Sequence, residues 1–288
     1  MGLAWQQGPL AGRPVGRFLT PDPLPERLLF AEPLRRRMRV RFGDRWIADS
    51  EDVLVLHEPG RYPVAYFPLA DVREGSLEEA GRTTAHRELG ATAWYTVRGG
   101  GREAVRAAWR HAEPPSWADE FEGRVAFAWR AVDSFYEEDE RVHGHAADSY
   151  HRIDIRDTSR ELVVADGDRV VARSRHPVVL YESGFAPRWY VPREDIDGNA
   201  LIPVDGKTFC PYKGVADYYA IGGTAGAAWS CRDAHAEVGR VSSMVSFEPD
   251  KVAVSLDGRR LEPAPGQRVI SHGADRGLDV HEAREPST

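Results

Sequence analysis

The sequence is poor in cysteine, in positive charge and in long apolar runs. With 2 cysteines among 288 residues, it cannot form the disulfide network of a small secreted protein. No CxxC pair occurs, so the sequence predicts no structural zinc site, and we expect neither a metal nor another cofactor. The beginning of the sequence lacks the pattern of a signal peptide, and reduced cysteines are typical of the cytoplasm. These features together predict a cytoplasmic protein.

The charge balance argues against binding to nucleic acids in general. The formal net charge is −7, whereas neutralisation of phosphates requires a surplus of Lys and Arg. No apolar stretch approaches the roughly 20 residues of a membrane-spanning helix. We therefore expect neither nucleic acid nor a membrane as a partner. A content of 42% hydrophobic and 29% charged residues is typical of a globular protein.

An internal repeat is the strongest signal that the sequence does contain. Residues 43–72 align with residues 167–196 without a gap, at an offset of 167 − 43 = 124, and thirteen of these thirty positions are identical. The same offset carries residues 84–97 onto residues 208–221, and the string AAW recurs at 107–109 and 227–229. This predicts a duplication with domains at 31–143 and 144–262. An arm over residues 1–30 and a tail over residues 263–288 are predicted to be extended or disordered because they are rich in Pro, Gly and charge.

Each half is predicted to be mainly β. Alternating apolar and polar residues flank a Gly-Asp turn in RMRVRFGDRWIADS, which is a short hairpin signal. Segments such as VAYFPL, TAWYTV and PVVLYE are rich in β-branched and aromatic residues, which favours further strands. Only residues 102–112 and the stretch around 227–238 have the composition of a short helix. The predicted fold is a pair of similar small antiparallel sheets or open barrels with short helices.

The second half also resembles a known family. The strings ARSRHPVVLYESGFAPRWYVPREDI, KTFCPYKGVADYYAI and VSFEPDKVAVSLDG are similar to the DUF427 family, and the resemblance covers about 230 residues as a tandem pair. It implies a compact β-rich domain similar to the β-tent (Mss4-like) group, whose zinc-binding members use cysteine pairs that are missing here. Members are sometimes labelled nucleotidyltransferases, a chemistry that needs a Gly-Ser turn followed closely by an Asp-x-Asp pair on one strand. Neither Gly75-Ser76 nor the pair Asp195 and Asp197 has the other part beside it, so we do not expect that activity.

Cys210 and Lys213 are the candidate catalytic residues. If the segment CPYKG turns tightly, the Lys213 ammonium approaches the Cys210 sulfur and favours a thiolate, which a nucleophilic or redox cysteine needs. A lone cysteine is also a common inert core residue, so both interpretations stay open.

A set of charged and aromatic residues accompanies them as candidate ligand-binding residues. Together they would form a pocket for a small polar or anionic ligand, or they would be a surface ion pair and ordinary core aromatics. They are Glu182, Arg188, Tyr190, Arg193, Tyr218 and Trp229.

The first half keeps the framework of this set but loses its reactive members. It has Val64 at the position of Arg188, Leu69 at Arg193, His86 at Cys210 and Leu89 at Lys213. The site is therefore predicted in the second domain, with His86 either a replacement acid or base or a solvated residue. The predicted function is binding of a small polar metabolite, with thiolate chemistry at Cys210 as its catalytic form. The alternative is a structural or protein-interaction module, and a homodimer is compatible with either function.

Overall fold

The computed structural model describes residues 29–58, 62–146, 148–183 and 185–263. Within these ranges the chain is mainly β and divides into two compact units, one ending at Asp148 and the other beginning at Ser149. The predicted arm and tail lie outside the described residues, except for Leu29, Phe30 and Pro263. None of the helices among the described residues has the length and apolarity needed to cross a membrane.

The described residues of the first domain form eleven strands in two antiparallel sheets. The strands are β1 (Phe30–Pro33), β2 (Met38–Phe42), β3 (Arg45–Ser50), β4 (Leu54–His57), β5 (Val64–Pro68), β6 (Leu77–His86), β7 (Gly90–Gly99), β8 (Arg102–His111), β9 (Arg124–Phe127), β10 (Ser134–Glu137) and β11 (Glu140–Val142). A seven-stranded sheet has the order β1-β4-β5-β9-β8-β7-β6, and a four-stranded sheet has the order β11-β10-β2-β3. Two 3₁₀ helices, η1 (Leu69–Asp71) and η2 (Ser116–Phe121), connect strands.

The described residues of the second domain repeat this arrangement. The strands are β12 (Ile153–Asp157), β13 (Leu162–Asp166), β14 (Arg169–Ser174), β15 (Val178–Glu182), β16 (Arg188–Val191), β17 (Ile202–Cys210), β18 (Gly214–Ile221), β19 (Thr224–Ser230), β20 (Val245–Phe247), β21 (Ala253–Leu256) and β22 (Arg259–Arg260). The seven-stranded sheet has the order β12-β15-β16-β20-β19-β18-β17, and the four-stranded sheet has the order β14-β13-β21-β22. The 3₁₀ helices are η3 (Arg193–Asp195) and η4 (Ala236–Val241). The prediction of two similar antiparallel β domains is confirmed, and the sheets are not closed into barrels.

Local sequence explains the shortest hairpin. The predicted Gly-Asp turn joins β2 to β3, and both Gly43 (φ 55°) and Asp44 (φ 60°) have the left-handed backbone conformation. Two consecutive positive φ angles are those of a type I′ turn, whose twist matches the twist of paired strands. In β2 the alternation predicted from the sequence is seen as burial of Met38, Val40 and Phe42.

The helix predicted over residues 102–112 is wrong, because residues Arg102–His111 form β8. This strand lies inside the seven-stranded sheet, between β7 and β9, and buries Ala107, Ala108 and Trp109. Hydrogen bonding to two neighbouring strands outweighs the helix propensity of the Ala-rich sequence. In the second predicted stretch, β19 ends at Ser230 and a 3₁₀ helix covers Ala236–Val241, so only the latter part is helical.

Each long sheet has apolar residues on both faces. One face packs against the four-stranded sheet of its domain, where Val164, Val191 and Phe247 belong to one core. The other face carries a smaller core, which in the second domain contains Leu180 and Tyr190 and is covered by η4. We call this second face the inner face.

The seven-stranded sheets curl strongly around the inner face. Glu182 ends β15, and Lys213 lies in the turn between β17 and β18, with four strands between β15 and β17 in the sheet order. In a flat sheet these strands would be about 24 Å apart at the usual spacing of ~4.8 Å. The Lys213 ammonium nevertheless donates a hydrogen bond to the Glu182 carboxylate. The curl therefore brings diagonally opposite corners of the sheet together.

The turn that carries Lys213 depends on Gly214. Its φ is +89°, and a Cβ there would lie 2.5 Å from the carbonyl oxygen of Asp233. Gly223 is the matched control, because its φ is +83° but a Cβ would meet no atom within 4 Å. We predict that Gly223→Ala costs about 1 kcal/mol for the positive φ alone and that Gly214→Ala costs clearly more. Calorimetric melting of both variants tests this, and equal losses would contradict it.

Candidate functional site

The strand register gathers most of the predicted site residues on the inner face of the second domain. Direct cross-strand pairs link Tyr190 to Ser246, Ser246 to Trp229, and Trp229 to Tyr218. Since side chains of directly paired residues lie on the same face of a sheet, these four form one row. The two-residue alternation adds Glu182, Arg188, Thr208 and Cys210 to the same face.

Glu182 is the most strongly constrained charge of this face. Its side chain is 6% exposed and accepts hydrogen bonds from His151 Nε2 at 3.0 Å and from the Lys213 ammonium. Burial disfavours the carboxylate, but the His151 hydrogen bond and the Lys213 charge outweigh it and lower the pKa of Glu182 to about 2. The His151 ring also stacks on Tyr212, with ring centroids 3.8 Å apart. Glu182 is therefore an ionised, fully engaged carboxylate.

Lys213 has a partner other than the one predicted for it. The expected tight turn is present, because the Lys213 backbone N–H bonds to the Cys210 carbonyl oxygen at 3.2 Å. The ammonium, however, binds Glu182, and no hydrogen bond between described residues joins it to the Cys210 sulfur. Burial lowers the pKa of Lys213, but the charges of Glu182 and Cys210 outweigh burial and raise it. Lys213 is therefore a permanent cation between the carboxylate and the thiol.

Tyr190 and Trp229 form the floor of the inner face. Tyr190 is 1% exposed, and the two rings meet edge to face with centroids 6.5 Å apart. The Trp229 indole N–H donates to the Tyr190 hydroxyl, and burial keeps the pKa of this hydroxyl above its usual range. Tyr190 is thus a neutral hydrogen-bonding group.

Arg188, Tyr218 and Thr208 are half-buried at the rim. The Arg188 guanidinium lies 5.2 Å from the centre of the Trp229 ring and bonds to Glu248 Oε2 at 3.2 Å. The Tyr218 hydroxyl bonds to Thr208 Oγ1 at 2.7 Å. A planar cation over an aromatic face, beside two hydroxyls, is an arrangement suited to a small polar molecule.

The two cysteines differ in environment. Cys210 is half-buried and Cys231 is 2% exposed, and both are free thiols. Burial raises the pKa of Cys231 to about 11, although the Lys213 charge opposes that rise. Cys231 is therefore a neutral, inaccessible thiol, and Cys210 is the only one of the two with an exposed surface.

Arg193 is the one predicted ligand-binding residue that the structure places elsewhere. Its guanidinium bonds at 2.9 Å to both the Tyr219 hydroxyl and Ser230 Oγ. Tyr219 and Ser230 alternate with Tyr218 and Trp229, so they lie on the opposite face of the sheet. Burial opposes ionisation of Tyr219, but the hydrogen bonds from Ser230 and from two arginines lower its pKa. Arg193 thus anchors the core between the sheets rather than the inner face.

The sequence analysis missed five residues of the inner face, one of which, Thr208, lies in an aligned strand and matches Thr84 of the first half. His151 precedes the aligned segments, so no repeat partner drew attention to it. The other three lie where loops change the offset between the halves from 124 to 120, and the repeated string AAW would have located them. They are Cys231, Ser246 and Glu248.

The first domain fills much of the same face with apolar side chains, although His86 and His111 stand at the positions of Cys210 and Cys231. Its corners are also joined, by a 3.0 Å contact between Glu58 and His86 at the positions of Glu182 and Cys210. The Tyr66 hydroxyl contacts both Trp109 Nε1 at 3.3 Å and His111 Nε2 at 3.0 Å. Five positions that are polar in the second domain are buried apolar residues here, namely Val64, Leu89, Trp94, Ala126 and Ala128 in place of Arg188, Lys213, Tyr218, Ser246 and Glu248.

Glu58, His86 and Glu88 are close enough together to hold a metal ion, since one ligand atom of each lies within 4.8 Å of the others. The ring nitrogens of His86 are already used, however. Nδ1 accepts hydrogen bonds from the backbone N–H groups of Glu88 and Leu89 at 3.2 and 3.0 Å, so Nε2 is the protonated nitrogen and donates to Glu58. This donor set fits a hydrogen-bonded corner rather than a metal centre.

Because folding lowers the pKa of Glu182, the free energy of unfolding depends on pH in a way that can be measured. The folded pKa of about 2 lies below the ordinary value of 4.5, so this carboxylate stabilises the fold fully above about pH 5 and loses that effect as the pH falls towards 2. The shift corresponds to about 3 kcal/mol. We predict that Glu182→Gln is less stable than the natural protein at pH 7 and that the difference shrinks towards pH 2. Chemical denaturation of the natural protein and of Glu182→Gln at several pH values measures this difference in the free energy of unfolding.

The matched control for that experiment is Glu194→Gln, which removes an exposed carboxylate of η3. Its effect should be small and nearly constant between pH 7 and pH 3. A Glu182→Gln effect that is equally constant would show that the carboxylate is not held by His151 and Lys213 in solution.

Comparison with known proteins agrees with the duplicated architecture. No curated protein matches the chain. The family described as "Domain of unknown function (DUF427)" matches twice, over residues 30–138 and over residues 154–258. These two matches cover most of the chain and correspond to the two similar β domains. The protein therefore belongs to the DUF427 family, of which it carries two copies in tandem.

Proposed function

We propose that the second domain binds a small polar or anionic metabolite on its inner face and that Cys210 is the reactive group of this site. The proposal extends to a cytoplasmic location, which fits two free thiols. It also assigns both domains to the β-tent (Mss4-like) group, because each curls one long antiparallel sheet around an enclosed face.

The difference between the two copies carries the proposal. The framework residues Glu182, Tyr190 and Trp229 have the equivalents Glu58, Tyr66 and Trp109. Around this framework, five apolar positions of the first domain are polar in the second. Ion pairs and hydrogen bonds offset the desolvation cost of most of these polar groups, but an apolar filling needs no such compensation, so their presence in one copy requires another explanation. Ligand binding supplies it.

The chemistry of the rim defines the ligand class. Arg188 presents a planar guanidinium beside the accessible part of the Trp229 ring, and Tyr218 and Thr208 add hydroxyl groups. A carboxylate or phosphate can accept from Arg188 in competition with Glu248, while a planar portion stacks on Trp229. The alternative function, a structural or protein-interaction module, predicts no such ligand.

A thermal-shift screen with small carboxylates and phosphates tests the binding proposal. We expect at least one compound to raise the melting temperature of the natural protein by several degrees, since a ligand at 100 times its Kd adds about 2.7 kcal/mol. Arg188→Val, which introduces the residue of the first domain, should abolish that shift.

The control variant is Arg175→Val, which removes a guanidinium whose side chain is 79% exposed and which lies outside the inner face. It should respond to the compound as the natural protein does. A shift that survives Arg188→Val would contradict the site, and silence across the screen would favour the interaction module.

Alkylation with iodoacetamide tests the role of Cys210. The half-buried Cys210 should be labelled in the native protein, while the buried Cys231 should remain unmodified. A cation near a thiol favours the thiolate, so Lys213→Met should slow labelling at neutral pH about tenfold. Mass spectrometry of peptides from each reaction gives the rate for each cysteine.

Cys231→Ser serves as the background in which Cys210 is the only thiol. Glu182→Gln, which leaves the ammonium in place but removes its carboxylate partner, should not slow labelling. Equal labelling rates with and without Lys213, or no labelling of native Cys210, would overturn the reactive-thiol role without affecting the binding proposal.

A further inference from the structure

A second pocket, which is open to solvent on one side, lies in the second domain, away from Cys210 and Lys213. It is a cavity of about 480 Å³ between the seven-stranded and four-stranded sheets. Its lining includes Leu162, Val254 and Leu256 of the four-stranded sheet, which face Phe247 and Trp189 of the seven-stranded sheet. Its volume falls within the range of small-molecule sites, and its walls combine these apolar residues with charged residues towards the mouth. We call it the interlayer cavity.

The first domain shows that this space is not required by the fold. At the equivalent position Trp129 stacks on Phe135, with ring centroids 3.7 Å apart, and Phe135 is 1% exposed. In the second domain Pro249 and Val254 replace these two aromatic residues. Two large-to-small replacements at adjoining positions thus correspond to the cavity. The open pocket leaves apolar surface unburied that the first domain buries under these rings, which costs stability and argues that the space is used.

The charges at the mouth indicate the polar part of an occupant. Arg259 is paired with Leu256 across β21 and β22, so its side chain leaves the strand on the cavity side. The neighbouring cations Arg160 and Arg188 form ion pairs with Asp257 and Glu248. Arg259 and Arg260 form no ion pair with any of the residues that the structure describes, and Asp250 and Glu262 line the same mouth.

We infer that the interlayer cavity is a second ligand site, for a molecule with a flat apolar body and one anionic group. The body lies between Trp189 and the aliphatic residues of the four-stranded sheet, and the anion meets Arg259 at the mouth. The inference does not rest on the function proposed for the inner face. The two sites share only the wall formed by the Arg188–Glu248 ion pair.

Two fluorescent probes that differ only in charge test both parts of the inference. 8-Anilinonaphthalene-1-sulfonate has an aromatic body and a sulfonate, and N-phenyl-1-naphthylamine has the same body without the anion. Both should bind the full-length protein with a stoichiometry of one. Val254→Phe, which introduces the aromatic residue of the first domain, should weaken both probes about tenfold or more by filling the cavity. Arg259→Ala should weaken only the sulfonate probe, by about tenfold.

Ser255→Phe is the matched control, because residue 255 lies on the opposite side of the same strand from Val254. It should leave the affinity of both probes within twofold. If the circular dichroism spectrum shows that Val254→Phe does not fold, Pro249→Trp is the second variant that fills the cavity. The inference is overturned if neither probe binds, if both filling variants leave binding unchanged, or if Arg259→Ala affects the two probes equally. Tyr218→Trp separates the sites, because Tyr218 lies on the inner face and outside the cavity lining, so the variant should weaken metabolite binding while probe binding persists.

Discussion

The contact between a carboxylate and the opposite corner of the long sheet determines the shape of each domain. Glu58 contacts His86 in the first domain, and Glu182 binds Lys213 and His151 in the second. Without this contact, nothing in the pairing of the strands would oblige two strands that are five positions apart to meet. The carboxylate is the same residue in both copies while its partners differ. This indicates that the position is retained for the curl rather than for one particular chemistry.

The curl creates an enclosed face that can be filled in two ways. The first domain fills it with Leu89, Trp94 and Trp109, none of which is more than 7% exposed. The second domain places Lys213 and Tyr218 at the corresponding positions, and Trp229 remains half-buried. The apolar filling contributes burial energy directly, whereas the polar filling must recover its desolvation cost through ion pairs and hydrogen bonds. The second copy therefore exchanges packing for an accessible polar surface.

Sequence patterns predicted the strands and the short Gly-Asp hairpin because each depends on residues close together in the chain, and comparison of the two halves revealed the duplication. They failed for β8, because its Ala-rich sequence locally favours a helix whereas its conformation is decided by two neighbouring strands. The repeat alignment located Glu182, Tyr190 and Trp229, but it had no means of assigning Arg193 to a face. That assignment depends on where β16 ends and η3 begins. The sequence could not identify the partner of Lys213 either, because the meeting of diagonal corners is a property of the whole sheet.

The inner face and the interlayer cavity of the second domain both depend on one short segment that differs between the two halves. Glu248 and Pro249 replace Ala128 and Trp129, so one short segment both supplies the carboxylate partner of Arg188 and removes the aromatic ring that fills the other copy. Arg188, paired with Glu248, consequently lies between the Trp229 face and the interlayer cavity. A ligand on the inner face that draws the Arg188 guanidinium away from Glu248 changes the charge that lines the interlayer cavity. The divergence of this segment thus links the polar face and the apolar cavity through a single ion pair.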